Sequence, residues 1–221
     1  MNYHKEKLEL VINPKKMDEK FNEMIKLKFS VIDISKILET VEYIKEKHKR
    51  QFRQDNTPYY ARCLFVAINL MEYENAQIDD VLVCLLHDVI EENPATSIEE
   101  IEVKFGKNVE ENVLGLSKVQ NGIKLSDVEY YSRISNNKNL ALYKSFDRLS
   151  NIYSLYFAPN WHKSPRYIIE TEERILPIVR KYYPEIANVI LNAQEFVKLH
   201  PSPTEGEMTI IEDLKRTRLG K

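Results

Sequence analysis

The chain has 221 residues, 43% of them hydrophobic, and a formal net charge of -2 at pH 7. This length and composition allow one substantial hydrophobic core. The 32 basic residues are scattered among 34 acidic ones, which argues against general nucleic-acid binding. No segment has the pattern of a membrane span or a signal peptide. We therefore expect a cytoplasmic protein that does not bind membranes.

The first half of the chain is organised around one strongly apolar helix. Residues 1–30 are charged and weakly patterned, and we treat them as an N-terminal arm. Apolar residues at spacings of three and four predict a long helix over residues 33–52, and a second helix follows over residues 58–71. The central helix is predicted over residues 79–92, just before an Asn-Pro pair that ends it.

The second half is also predicted to be helical. Two capping boxes, at residues 97–100 and 126–129, mark the starts of helices. A helix that carries both apolar and polar stripes is predicted over residues 138–157, and Pro177 is expected to bend a later helix. Residues 201–221 are charged and follow several helix-breaking residues, so we expect a mobile tail.

The pattern as a whole predicts an all-α fold with about eight helices, because no segment shows the repeated alternation of a sheet. We expect three parts: the N-terminal arm (residues 1–30), a single helical domain (residues 31–200) and the C-terminal tail (residues 201–221). The sequence leaves the oligomeric state open.

Polar groups stand at the end of the apolar central helix. Val81–Leu86 are all apolar and lead directly into His87 and Asp88, and Glu91 and Glu92 follow one turn later. Burying an imidazole and carboxylates costs several kcal/mol of desolvation unless something compensates, and a divalent metal is a common compensation. Glu91 and Glu92 could orient a water molecule or accept its proton.

A second polar stripe lies on the helix over residues 138–157. Its members are Lys144, Asp147, Asn151 and Ser154, which recur at helical spacing. Asp147 is a candidate third ligand beside His87 and Asp88. One histidine and two carboxylates suit an oxygen-preferring ion such as Mn²⁺, which fits hydrolysis of a phosphoester.

Each of these features also has an ordinary structural interpretation. An adjacent His-Asp pair occurs by chance, and Glu91 and Glu92 could be a solvated helix end. Asp147 and Arg148 could form a surface ion pair, and His48 is more typical of a satisfied core histidine than of a metal ligand. The coincidence of polar groups on two buried helices favours a site.

Several motifs, in order along the chain, resemble the HD-domain hydrolases of the RelA/SpoT type. Residues 85–92 are similar to that family's Leu-Leu-His-Asp-x-x-Glu-Asp core, and residues 144–151 to its Lys-Leu-Ala-Asp-Arg-Leu-His-Asn helix. The segment from His48 to Tyr59 resembles its His-x-Gly-Gln-x-Arg and Pro-Tyr elements, and residues 105–118 its Phe-Gly segment. The resemblance covers about residues 40–157 and implies an HD-domain helical bundle.

The resemblance implies a hydrolase that removes pyrophosphate from the 3′ position of guanosine alarmones (ppGpp), or of another purine nucleotide with a 3′-phosphate, usually with Mn²⁺. By the same resemblance, each motif residue receives a role. The metal ligands are His87, Asp88 and Asp147; the acidic pair that handles water is Glu91 and Glu92; the substrate contacts are Arg53, Asn151 and Ser154.

The family pattern has one serious departure in this chain, beside smaller ones at Gln54, Glu92 and Ser150. The family has a histidine three residues after its Pro-Tyr pair, and this chain has Arg62 there. A guanidinium stays protonated and offers no lone pair, so Arg62 cannot be the fourth metal ligand. Cys63 is adjacent, but one residue rotates a side chain by about 100° around a helix.

Two functions remain open at this stage. The first is a divalent-metal phosphohydrolase with a reduced ligand set. The second is a metal-free HD domain in which Arg62 pairs with Asp88 or Asp147 and the pocket binds a nucleotide or a protein partner. A helical scaffold without any ligand is a third interpretation.

Overall fold

A computed structural model describes residues 2–53, 56–73, 76–120, 122–157 and 165–199. The described part is almost entirely helical. In order, its elements are α1 (Asn2–Val11), α2 (Pro14–Lys28), α3 (Val31–Lys47), α4 (Tyr59–Glu72), α5 (Ile78–Leu86), α6 (Val89–Glu92), α7 (Ile98–Phe105), α8 (Lys107–Leu116), β1 (Val119–Gln120), β2 (Ile123–Lys124), α9 (Asp127–Ser135), α10 (Lys138–Leu155), α11 (Pro165–Glu170), α12 (Leu176–Tyr182) and α13 (Pro184–Leu199).

The all-α class predicted from the sequence is confirmed. The helices of the described residues are more numerous than the eight or so predicted, because residues 2–28 form two helices and two predicted helices are divided. A π-helical turn over residues 171–175 joins α11 to α12. Pro177 accounts for that turn, since it has no N–H to continue the regular helical pattern.

The central helix is not continuous through residues 79–92 as predicted. Helix α5 ends at Leu86, and α6 begins at Val89. Asp88, with φ -104° and ψ -3°, lies in the sparsely populated bridge region, which interrupts the regular hydrogen bonding. His87 and Asp88 therefore lie in a turn between two helices, which turns both side chains toward α4 and α10.

Helices α4 and α5 form the centre of the core. Residues 61–71 of α4 and 81–86 of α5 are buried, which is why both segments are apolar on nearly every side. Helix α4 packs against α2, α5 and α10. Two charged side chains of the site, those of Arg62 and Asp147, are thereby placed inside the protein on α4 and α10.

Residues 2–28, within the segment predicted as an arm, form helices that pack on the core. Met17, Phe21 and Ile25 of α2 are buried, and α2 packs against α4. Lys7 of α1 is buried and pairs with Glu72 at 2.7 Å. The division of the chain into arm, domain and tail stays a prediction.

The predicted tail at residues 201–221 lies outside the described residues, as do residues 158–164. Across the part of the chain that is described, no helix is both long and apolar enough to span a membrane.

Helix α8 approaches α10 closely at Gly115. A Cβ atom at this position would lie 2.7 Å from a Leu140 methyl carbon, so only glycine fits without displacing that side chain. This close contact holds the end of α8, and the Lys118 backbone that follows it, beside α10. Helix α10 begins at the Asn137 cap, whose side chain accepts the Leu140 N–H at 3.2 Å.

Candidate functional site

A polar pocket of about 280 Å³ opens where α4, the α5–α6 turn, α9, α10 and α11 meet. It contains both charged and aromatic groups. Its lining residues are Arg53, Tyr59, Arg62, His87, Asp88, Glu91, Glu92, Leu116, Lys118, Tyr130, Lys144, Asp147, Arg148, Asn151, Tyr167 and Glu170. The pocket therefore brings together all the predicted site residues except Ser154.

His87 presents a lone pair to the floor of this pocket. Its Nδ1 lies 2.8 Å from the Cys84 carbonyl oxygen, which can only accept, so Nδ1 carries the proton. Burial lowers the pKa of His87, so the ring is neutral at pH 7. Its Nε2 makes no hydrogen bond within the described residues, and it lies 3.2 Å from Asp88 Oδ2 and 3.6 Å from Asp147 Oδ1.

Three acceptors without protons thus converge, and a cation is needed between them. Arg62 supplies it: its two terminal nitrogens pair with Asp88 Oδ2 and Asp147 Oδ1. The guanidinium is 8% exposed. Burial lowers the pKa of Arg62, but Asp147 outweighs this effect and raises that pKa above its ordinary value. Arg62 is consequently charged at any relevant pH.

Tyr59 fixes this ion pair from the side. Its hydroxyl donates to Asp88 Oδ2 at 2.7 Å and accepts from Arg62 at 2.9 Å. Burial raises the pKa of Tyr59 to about 12, so the hydroxyl keeps its proton. Cys63 does not substitute for the missing ligand, because it is fully buried and burial raises the pKa of its thiol to about 12.

Asp147 has a second cation on its other oxygen. Lys144 Nζ lies 2.7 Å from Asp147 Oδ2, and Asn151 Nδ2 donates to Oδ1 at 2.9 Å. Burial raises the pKa of Asp147, but Lys144 and Arg62 outweigh it and hold this pKa well below its usual range. The Arg53 guanidinium lies 3.5 Å from Asn151 Oδ1, and both residues line the same pocket.

The donors suit a divalent cation by their chemistry, since they are one neutral imidazole and two carboxylates. As they stand, however, no group of three or more His, Cys, Asp or Glu side chains in the described part of the chain could hold a metal ion. Arg62 already neutralises the oxygens that would face the ion. The arrangement therefore does not accommodate a metal while Arg62 keeps both ion pairs.

Glu91 and Glu92 lie at the exposed rim of the pocket. Glu91 Oε2 accepts the backbone N–H of Lys118 at 3.1 Å, which fixes one carboxylate oxygen. The Glu92 backbone carbonyl accepts from Gln51 at 2.9 Å, so this contact does not involve the Glu92 carboxylate. Both carboxylates face the pocket while remaining in reach of water.

The structure does not bring Ser154 to the pocket. Its hydroxyl is buried and donates to the Ser150 carbonyl oxygen at 3.0 Å, one turn back on α10. This hydrogen bond is common for serine within helices and needs no ligand. A substrate contact by Ser154 stays a prediction that this position does not favour.

Sequence reasoning assigned no role in the site to a second basic cluster in the pocket wall. Arg148 is 3% exposed, its Nη2 lies 3.0 Å from Glu170 Oε1, and its Nη1 donates to the Thr171 hydroxyl at 3.2 Å. The Tyr167 ring stacks on the same guanidinium at 4.1 Å, and its hydroxyl has no hydrogen-bond partner among the described residues. Arg148 follows Asp147 directly, but only the fold brings α11 to it.

Comparison with known proteins finds a family model and several named relatives that this chain resembles. A family model described as an HD domain matches residues 40–149. The chain is 30% identical over 145 residues to a guanosine-3′,5′-bis(diphosphate) 3′-pyrophosphohydrolase of Aquifex aeolicus, a match that covers 63% of this chain and 20% of the relative. It is 40% identical over 81 residues to the Xenopus tropicalis pyrophosphohydrolase MESH1, which covers 35% of this chain and 44% of that protein.

The chain therefore spans about a fifth of the Aquifex relative and less than half of the Xenopus one. A solved structure, described as a metazoan orthologue of SpoT that hydrolyses ppGpp, has a similar fold, with a TM-score of 0.63 and 22% identity. The alignment covers 75% of this chain and 97% of that one. Over residues 40–149 the chain is therefore similar to HD-domain proteins, and its relatives include enzymes named as ppGpp 3′-pyrophosphohydrolases.

Proposed function

We propose that this chain hydrolyses the 3′-phosphate or 3′-pyrophosphate of a purine nucleotide, with guanosine 3′,5′-bis(diphosphate) as the first substrate to test. The observation that supports this most is the convergence of His87, Asp88 and Asp147 at the floor of a pocket with a basic wall. HD hydrolases depend on a metal. Mn²⁺ is the ion we propose, and the proposal keeps the cytoplasmic location expected from the sequence.

The basic residues of the pocket suit a phosphorylated substrate. Arg53, Arg62, Lys118, Lys144 and Arg148 all line it. Guanidinium groups bind phosphate oxygens in pairs, and a lysine adds a point charge. The aromatic rings at the wall, those of Tyr59, Tyr130 and Tyr167, offer apolar surface to a base.

The acidic rim supplies the proton acceptor. In the proposed reaction a water molecule attacks the phosphorus at the 3′ position, the bond between the 3′ oxygen and phosphorus breaks, and the leaving 3′ oxygen takes up a proton from water, so that the products are a free 3′-hydroxyl and pyrophosphate. Glu91 accepts the proton of the attacking water, and its contact with the Lys118 N–H keeps the carboxylate oriented. Glu92 is the second acid at the same rim. A bound metal would lower the pKa of the attacking water.

The test is pyrophosphate release from guanosine 3′,5′-bis(diphosphate) with Mn²⁺. The wild-type chain is expected to release one pyrophosphate per guanosine 5′-diphosphate formed. Glu91→Gln should slow the reaction by about 10²–10⁴-fold, because a general base contributes that much. Glu111→Gln is the matched control, since Glu111 is an exposed glutamate of α8 outside the pocket. Absence of release by the wild-type protein with Mn²⁺ or Mg²⁺ contradicts the proposal.

A second candidate is favoured by one specific observation, the double ion pair of Arg62 with Asp88 and Asp147. In that case the chain is a metal-free nucleotide-binding domain. Titration calorimetry with guanosine 3′,5′-bisphosphate in the presence of EDTA then gives binding without turnover, and Arg53→Ala weakens that binding. Turnover that requires stoichiometric Mn²⁺ contradicts this candidate.

A further inference from the structure

Helix α3 packs on the rest of the molecule with one face only. Ile37, Val41 and Ile44 are buried on that face, and α3 packs mainly against α5. The opposite face is open to water, yet its first turn carries Val31 and Ile32, which are 84% and 83% exposed. A single exposed apolar side chain is ordinary, but neighbouring ones indicate a surface that binds a partner.

Two leucines extend this apolar surface. Leu27, in the last turn of α2, is 78% exposed. Leu38 is exposed and lies seven residues after Val31, which places it two turns further along the same side of α3. Ser35, one turn after Val31, is small enough to let another helix approach closely. We call the face formed by Leu27, Val31, Ile32, Ser35 and Leu38 the α3 surface.

Charged residues of opposite sign stand at the two ends of the α3 surface. Lys26 and Lys28, both exposed, lie in the last turn of α2 just before it. Glu39 and Glu42, also exposed, lie at its other end on α3. Glu42 pairs with Lys45 at 3.0 Å, but an exposed ion pair of this kind contributes little and leaves the carboxylate available. The surface is thus positive at one end, apolar in the middle and negative at the other end.

This order of groups is complementary to itself. In a dimer with twofold symmetry the same patch of both copies forms the interface, so each pair of residues meets twice. If two α3 helices lie antiparallel with the axis at Ser35, Lys28 of each copy faces Glu42 of the other, and Ile32 faces Leu38, because the members of each pair are equally far from Ser35 in the chain. Opposite charges then meet at both ends, and apolar groups meet between them.

A lipid surface fits this pattern less well. Anionic lipids would attract Lys26 and Lys28 but repel Glu39 and Glu42 of the same face. The area points to a weak association, because four aliphatic side chains offer a few hundred Å², which is less than the roughly 800 Å² per partner of a standard stable interface.

We propose that two copies of this chain associate weakly through the α3 surface, with their α3 helices antiparallel. The residues of this surface all belong to the described part of the chain, and none of them lines the pocket. Each copy therefore keeps its own pocket, and the association does not depend on whether the chain hydrolyses a nucleotide.

Sedimentation equilibrium of the full chain, from low to high micromolar concentration, tests the association. The average mass of the wild type should rise from that of one chain toward that of two. Ile32→Glu should raise the dissociation constant at least about tenfold, because the change removes an apolar contact twice and puts a carboxylate in its place. Val103→Glu is the matched control and should behave like the wild type, since Val103 is an equally exposed valine of α7 outside the α3 surface.

Charge reversal tests the antiparallel arrangement. Lys28→Glu should raise the dissociation constant about threefold or more, because like charges then meet at both ends of the interface. Adding Glu42→Lys to Lys28→Glu should restore the wild-type dissociation constant, since opposite charges meet again. Lys124→Glu, a change at an exposed lysine of β2, should leave the dissociation constant unchanged.

Several results would overturn the proposal. A wild-type mass of one chain at every concentration excludes the association, and cosedimentation of that single chain with phosphatidylglycerol vesicles assigns the surface to lipid. An unchanged dissociation constant in Ile32→Glu places the contact elsewhere on the molecule. A double variant that associates no better than Lys28→Glu excludes the antiparallel arrangement. Pyrophosphate release should be equal in Ile32→Glu and the wild type, so failure of the association and failure of the proposed hydrolase are told apart.

Discussion

Two buried arginines line the pocket, and their surroundings differ. Arg62 pairs with two carboxylates that are themselves largely buried, whereas Arg148 pairs with one carboxylate, Glu170, that is 30% exposed. Arg148 completes its contacts with the Thr171 hydroxyl and the Tyr167 ring. Lys144 also pairs with Asp147, so two cations and two carboxylates are buried together around Arg62, which is typical of a functional site. The contacts of Arg148 are those of a residue that joins α10 to α11.

The largest expected effect concerns turnover. Asp147→Asn removes a carboxylate from the floor of the site and should lower kcat by at least about 100-fold, since even residues that only support metal ligands contribute up to that much. Glu170→Gln should lower kcat by less than about tenfold, because Glu170 acts through Arg148. Initial rates of pyrophosphate release measure both. Equal losses of kcat in the two variants would mean that the groups around Arg62 and those around Arg148 contribute alike to turnover.

The next effect concerns stability. Arg62→Met should lower the free energy of unfolding by about 3 kcal/mol, because it leaves Asp88 and Asp147 without their shared cation in a buried place. Adding Asp147→Asn to Arg62→Met should recover part of the loss, since the uncompensated charge is then gone. Urea unfolding of the four proteins gives the coupling energy. Additive losses would mean that Arg62 and Asp147 contribute independently.

Replacing the second arginine should cost less. Arg148→Lys keeps the charge but loses the fork that reaches both Glu170 and Thr171, and it loses stacking on Tyr167. We expect a loss of about 1.5 kcal/mol in the free energy of unfolding. The same urea titrations apply. A loss larger than that of Arg62→Met would reverse the ranking of the two clusters.

The smallest effect is a dependence of stability on pH. His48 is 2% exposed and its ring stacks on Tyr59 at 4.8 Å. Burial lowers the pKa of His48, so the folded state holds it neutral while the unfolded state takes up a proton below about pH 6.5. Stability is therefore full at higher pH and falls as the pH drops below the unfolded value.

One such group changes the free energy of unfolding by at most about 1.4 kcal/mol per pH unit. The urea midpoint of the wild type should fall between pH 7.5 and pH 5.5, and His48→Gln should reduce that fall. If the urea midpoint of His48→Gln falls as much as that of the wild type, the pH dependence comes from other groups. His87 is one of them, because burial also lowers its pKa.

Part of the site could be predicted because the apolar pattern along the chain shows which helices are buried, and because a polar group is rarely buried without a partner. Val81–Leu86 are apolar on all sides, so the His87 and Asp88 that follow had to lie at the core, and the stripe on α10 placed Asp147 on a buried face. Local pattern did not foresee the break between α5 and α6. That break depends on the backbone of Asp88, which the surrounding helices determine.

The sequence alone determined the helical class, the residue types of the site and the replacement of a histidine by Arg62, since these depend on composition, spacing and motif. The tertiary structure decided which groups meet. It brought both carboxylates to one guanidinium, brought Tyr167 and Glu170 from α11 to Arg148, and left Ser154 bonded within its own helix. Such contacts join residues far apart in the chain, and only the packing of whole helices fixes their distances.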